Sequence, residues 1–79
     1  MKIPRNLSGK DLIQRLKLLG YEQTRESGSH IRLTTIRNGT HHITIPNHDT
    51  LRIGTLSSVI SLVAEHFNIT KEDLIKQLF

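Results

Sequence analysis

Apolar residues follow two different rhythms along this chain. Leu12, Ile13, Leu16 and Leu19 repeat with helical spacing, which gathers them on one helix face. Ser8, followed three residues later by Asp11, reads as a capping box, with Leu7 and Leu12 as the staple around it. Gly20 stops the helix, because glycine takes a left-handed conformation cheaply. The pattern predicts a helix over 9–19. The period then drops to two. Residues 21–27 are polar but extended in character, and the pattern leaves their inward face open. The Ser27-Gly28-Ser29 turn leads into a strand over 30–36, with Ile31 and Leu33 on one side and His30, Arg32 and Thr34 on the other. A third strand over 41–46 sets Ile43 and Ile45 against His42 and Thr44.

The hairpin between these strands has one consistent register. A two-residue Asn38-Gly39 turn would set Leu33 opposite Thr44 and mix the two faces, which a sheet with one buried face does not allow. A three-residue loop, Arg37-Asn38-Gly39, pairs Leu33 with Ile43, Ile31 with Ile45, Arg32 with Thr44 and His30 with Pro46, with Gly39 in the left-handed position. Two helices close the chain. Thr55 is the expected cap of the first, with Leu56, Val59, Ile60, Val63 and Phe67 on one face. Thr70 and Asp73 form a second capping box, stapled by Ile69 and Leu74; Leu74, Ile75 and Leu78 face inward. The fold class is α+β, in the order α-β-β-β-α with a short extra C-terminal helix. A three-stranded antiparallel sheet carries its helices on one face, so the aliphatic side is buried and the polar side stays open.

Seventy-nine residues amount to one domain, 1–79, with a thin core. The absence of cysteine rules out disulfides and thiolate chemistry and fits a reducing compartment. No apolar run reaches membrane-spanning length, and Met1-Lys2-Ile3-Pro4-Arg5 lacks the apolar segment of a signal peptide, so a cytoplasmic location is expected, with no membrane partner. The net charge of +4 is uneven. Residues 1–53 hold nine Lys/Arg against four acids, whereas 54–79 hold two Lys against three acids. A basic first two-thirds attracts polyanions such as RNA or DNA, though a solvated basic face would look the same.

Five histidines, at 30, 41, 42, 48 and 66, are the candidate proton carriers. Metal-free RNA cleavage needs a base for the 2′-hydroxyl, an acid for the leaving oxygen and positive charge at the phosphate. His30 beside Arg32 on an open basic sheet suits that task, although an exposed histidine on a polar strand face is by itself ordinary. His41 and His42 alternate faces and cannot chelate one ion together. His48 sits in the Asn47-His48-Asp49 loop, which can meet a phosphate or simply turn the chain. His66, near a helix C-terminus, reads as structural. Ser29 and His30 point apart and form no hydrolase pair. Paired carboxylates, a Gly-rich phosphate loop and zinc spacing are all missing from the sequence.

Taken together, Leu16 through Leu19-Gly20-Tyr21, Gly28-Ser29-His30-Ile31-Arg32-Leu33, His42-Ile43-Thr44-Ile45-Pro46-Asn47-His48, and Ile53-Gly54-Thr55-Leu56 with Val59-Ile60 resemble the HicA (YcfA-like) toxins. The motifs stand in the family's order over nearly the whole chain and without departure. The resemblance implies a fold like double-stranded-RNA-binding domains and translation-independent mRNA cleavage with no metal or other cofactor. It further implies a HicB-type antitoxin partner, and it carries the family's catalytic histidine to His30. Lys10, Lys17, Arg25, Ser29 and Arg32 are the expected RNA-binding residues, within a basic set that also includes Arg15 and Arg37. The second proton-transfer group stays open between His42 and His48. A non-catalytic RNA-binding module of the same fold is the alternative. Such modules place a basic cluster at the start of the helix after the sheet, and Gly54 to Thr70 holds no Lys or Arg. A purely protein-binding domain would leave the placement of His30 unexplained.

Overall fold

The computed structural model describes residues 3–79. The reading of a leaderless N-terminus rests partly on Met1 and Lys2, which lie outside the described residues. Helix α1 spans Gly9–Leu16. Its capping box forms as expected: the Asp11 N–H donates to Ser8 Oγ at 3.0 Å, and the Ser8 N–H donates to the Asp11 carboxylate at 3.2 Å. The Ser8 N–H first, and then the Ser8 hydroxyl, hold the Asp11 carboxyl below its usual range. The α-helix is shorter than the 9–19 expected. It tightens into a 3₁₀ turn over Lys17–Leu19, and Gly20 closes it at φ +85°. The end of the sheet supplies the reason. Thr35 Oγ1 donates to the Leu19 carbonyl at 3.1 Å and Arg37 Nη1 to the Leu18 carbonyl at 3.1 Å, drawing the last turn out of α-geometry.

Strands β1 (Glu22–Ser27), β2 (His30–Thr35) and β3 (His41–Pro46) form one antiparallel sheet in the order β1-β2-β3. The β2–β3 register is the one the three-residue loop requires, from His30 opposite Pro46 to Thr35 opposite His41. Gly39 takes φ +95°, and Asn38 joins it in the left-handed region at +56°. Two strand ends differ from expectation. Tyr21 leaves the strand to become fully buried, and Ile36 lies beyond β2, 82% exposed. In β1 the register shifts between Gln23 and Arg25, so Thr24 is an extra residue and the strand's alternation changes sides there.

Helix α2 spans Ile53–His66 and α3 spans Lys71–Leu78. Thr55 does not cap α2. The cap position belongs to Arg52, extended at φ −68° and ψ 144°, with no side-chain cap. Leu51 is buried, and its N–H donates to the Leu7 carbonyl at 2.8 Å, so the chain is anchored just before residue 52 and the helix begins at once. Thr70 caps α3, accepting the Asp73 N–H at 3.0 Å.

The core gathers Leu12 and Leu16 of α1, Tyr21, Ile31 and Leu33 of β2, Ile43 and Ile45 of β3, Val59, Ile60 and Val63 of α2, and Leu74 and Leu78 of α3. Each such side chain contributes about 1.5–3 kcal/mol on burial. The aliphatic sheet face therefore outweighs any surface interaction in fixing which side stays open. Thr35, a buried polar residue, satisfies its hydroxyl by donating to the Leu19 carbonyl and accepting the Arg37 N–H at 3.2 Å. At the opposite end of the sheet, α1 begins against β3. The Gly9 N–H donates to the His48 carbonyl at 2.9 Å, and a Cβ on Gly9 would run into the Pro46 carbonyl.

Candidate functional site

The open sheet face is laid out in rows, because residues opposite each other in an antiparallel pair share a side. Ser27, His30 and Pro46 form the first row, Arg25, Arg32 and Thr44 the second, and Glu22, Thr34 and His42 the third. Neighbours within a row stand about 5 Å apart at Cα. Successive rows are about 7 Å apart. His30 and Arg32 are thus next-row neighbours, both directed away from the core. His30 is exposed and Arg32 half-buried.

Local sequence explains the placement of His30. Gly28 holds φ +59° in the turn, and the Ser29 carbonyl accepts the Asn47 N–H at 2.6 Å. That bond extends the pairing one residue past Pro46 and fixes the start of β2 against the end of β3. Arg25 faces Arg32 directly because the two-residue turn at Gly28-Ser29 pairs Ser27 with His30 and carries that register back to Arg25, before the bulge at Thr24 shifts it. Two like charges opposite each other repel, and an anion between them relieves that cost.

The structure brings His30, Arg25 and Arg32 onto one face, while Ser29 stands in the turn just before His30, outside the rows. Lys10 follows Gly9, at the corner where α1 meets Pro46 and His48, and so lies at the same end as His30. Lys17 does not join them. It sits seven residues after Lys10, in the 3₁₀ turn that follows α1, about 10 Å down the axis at the hairpin end. Beyond Pro46, a hollow of about 310 Å³ is lined by Pro46, His48, Thr50, Leu51, Arg52 and Thr55. Arg52 was not singled out by spacing, since nothing in the sequence shows that its loop folds back beside Pro46.

The remaining histidines belong to other settings. His42 lies 2.8 Å from Thr34 Oγ1 through Nδ1, and Thr34 in turn lies 2.9 Å from Thr24 Oγ1. His41 points to the covered side. Its Nδ1 lies 2.7 Å from the Tyr21 hydroxyl, and its ring stacks on His66 with centroids 4.3 Å apart and planes within 8°. Burial pushes the Tyr21 phenol up to about 12, so it keeps its proton and can donate to His41. Burial first, then His66 and His42, push His41 down, while Glu65 partly opposes them. His66 Nε2 donates to the Arg37 carbonyl at 2.8 Å, and Asn38 Nδ2 donates to the His66 carbonyl at 2.7 Å, which ties the hairpin to the end of α2. His66 is structural, as its helix-end position suggested. Sequence periodicity carried no signal for its stack with His41, because the two lie on different elements.

Among the described residues, no three His, Cys, Asp or Glu stand together as a metal-holding group. No helix among them is long and apolar enough to cross a membrane. Residues 9–64, more than half of the chain, match the family described as "HicA toxin of bacterial toxin-antitoxin". No curated protein and no solved structure matches the chain.

Proposed function

The chain belongs to the HicA toxin family of bacterial toxin-antitoxin systems, and from that premise we propose that it is an endoribonuclease that cleaves mRNA without a metal ion, with His30 moving a proton at the scissile phosphate. The observation that carries this reading is the row geometry: an exposed imidazole stands one row from two opposed arginines on a face the core leaves open. Arg25 and Arg32 hold the phosphate, Ser29 and Lys10 flank it, and Lys17, in the 3₁₀ turn after α1, meets the RNA backbone further from the scissile bond. His30 acts as the general base toward the 2′-hydroxyl. An mRNA substrate places the protein in the cytoplasm.

The test is cleavage of mRNA by the purified protein in a strong chelator. Cleavage persists on this reading. Loss of activity with chelator and its return with added metal overturns the metal-free mechanism. RNA that is bound and protected but never cut supports the non-catalytic binding module instead.

A toxin of this family implies an antitoxin partner. We infer a HicB-like antitoxin whose acidic surface covers His30 and meets Lys10, Lys17 or Arg32, because complementary charge speeds encounter and burial blocks the RNA. Co-expression rescues growth and the two proteins co-purify. An inhibitor that contacts only α2 and α3 and leaves His30 open contradicts masking.

A further inference from the structure

A metal-free cleavage needs two proton-transfer groups, and the sheet rows select the second. His42 lies two rows from His30, about 13 Å along the strand, beyond the reach of one phosphodiester. His41 and His66 stack together on the covered side, held by Tyr21 and the Arg37 carbonyl. His48 stands at the right end. Pro46 is opposite His30, the Asn47 N–H is bonded to the Ser29 carbonyl, and the His48 carbonyl is held by the Gly9 N–H. His48 follows Pro46 by two residues, so its Cα lies about 8 Å from that of His30 if the chain runs on extended. Two imidazoles reaching inward from that spacing leave room for one phosphate. His48 and Pro46 also line the same hollow, together with Arg52, Thr50 and Thr55.

We propose that the hollow beyond Pro46 receives the 5′-leaving side of the scissile phosphodiester, with His48 as the general acid and Arg52 as a cation on the phosphate. This rests on the ribonuclease reading given above. In the step, the 2′-oxygen attacks phosphorus as His30 takes the 2′-hydroxyl proton. The P–O5′ bond breaks as the His48 imidazolium delivers its proton to O5′. The products are a 2′,3′-cyclic phosphate and a 5′-hydroxyl, and the two imidazoles finish with one proton exchanged.

The experiment compares two RNAs cut at one mapped position, one normal and one with sulfur in place of the bridging 5′-oxygen. Sulfur departs as a thiolate and needs no acid. His48→Ala and His48→Gln slow cleavage of normal RNA by about 10²–10⁴-fold. Both return to within a few-fold of wild type on the sulfur substrate, whereas His30→Ala stays slow on both. His48 is exposed, so its replacement opens no core cavity, and the Gln variant keeps the side chain polar. Unchanged rates in both His48 variants overturn the proposal, and so does slowing that sulfur does not relieve. A wild-type protein that cuts neither RNA overturns the ribonuclease reading itself, and this proposal with it.

Discussion

The two ends of the sheet use the same residue type in opposite ways. At the hairpin end, His41 and His66 are stacked, hydrogen-bonded to Tyr21 and Arg37, and packed beside Phe67, whose ring meets His66 edge-on at 4.9 Å. At the other end, His30 and His48 are exposed, next to arginines. Histidines held by protein partners stabilise the fold. Those left to solvent beside arginines are the ones proposed above to act on RNA. The difference comes from strand parity and from which end of α2 and α1 meets the sheet, and not from the residue itself.

The largest effect expected from breaking this division comes at Gly9, where the two roles meet. Gly9→Ala forces a methyl against the Pro46 carbonyl and costs about 1–3 kcal/mol. It also shifts the His48 loop, so both the urea midpoint and RNA cleavage fall. At the hairpin end the effects separate. Tyr21→Phe removes the partner of His41 and costs about 0.5–1.5 kcal/mol, with cleavage per folded molecule unchanged. A large loss of activity in that variant would show that the ends are coupled.

Acidity sharpens the same contrast. Burial, His66 and His42 disfavour the charged form of His41, with Glu65 opposing, and the phenol of Tyr21 facing it stays neutral. The unfolded chain therefore binds a proton at His41 more readily than the folded one. Stability from this site is full above the ordinary value of 6.5, falls as pH drops below it, and levels off once pH is below the folded value. Urea midpoints measured from pH 8 to pH 4.5 show this slope, and His41→Gln flattens it. The smallest effect is at the arginines proposed to hold phosphate. Arg25→Ala or Arg32→Ala each lowers the salt dependence of RNA affinity by about 0.7 in log–log slope, the share of one neutralised phosphate, without touching the hairpin end.

Much of this division was legible in the sequence. The face alternation of β2 and β3 placed His30, Arg32 and His42 on the open side, and the conflict between Leu33 and Thr44 fixed the hairpin loop at three residues, as the register has it. The Ser8–Asp11 box and Gly20 set the limits of the first helical segment. What stayed hidden depends on packing between distant elements. The six residues of β1 are all exposed, so no apolar rhythm revealed the bulge at Thr24 that shifts Gln23 and Glu22 against β2. Thr55 looked like a cap because local chemistry favours threonine there, but the buried Leu51 starts the helix earlier. Lys17 joined the expected RNA-binding set through charge alone, and the helix carries it to the far end. The pairing of His41 with His66 spans 25 residues of chain, beyond any local pattern.

The central claim is that His30 does chemistry and does not hold the fold. It is tested most directly by His30→Ala, with mRNA cleavage and thermal unfolding measured on the same purified sample. The account predicts a loss of cleavage of about 10²-fold or more with an unchanged unfolding midpoint. Cleavage at the parental rate in a folded His30→Ala protein would contradict it.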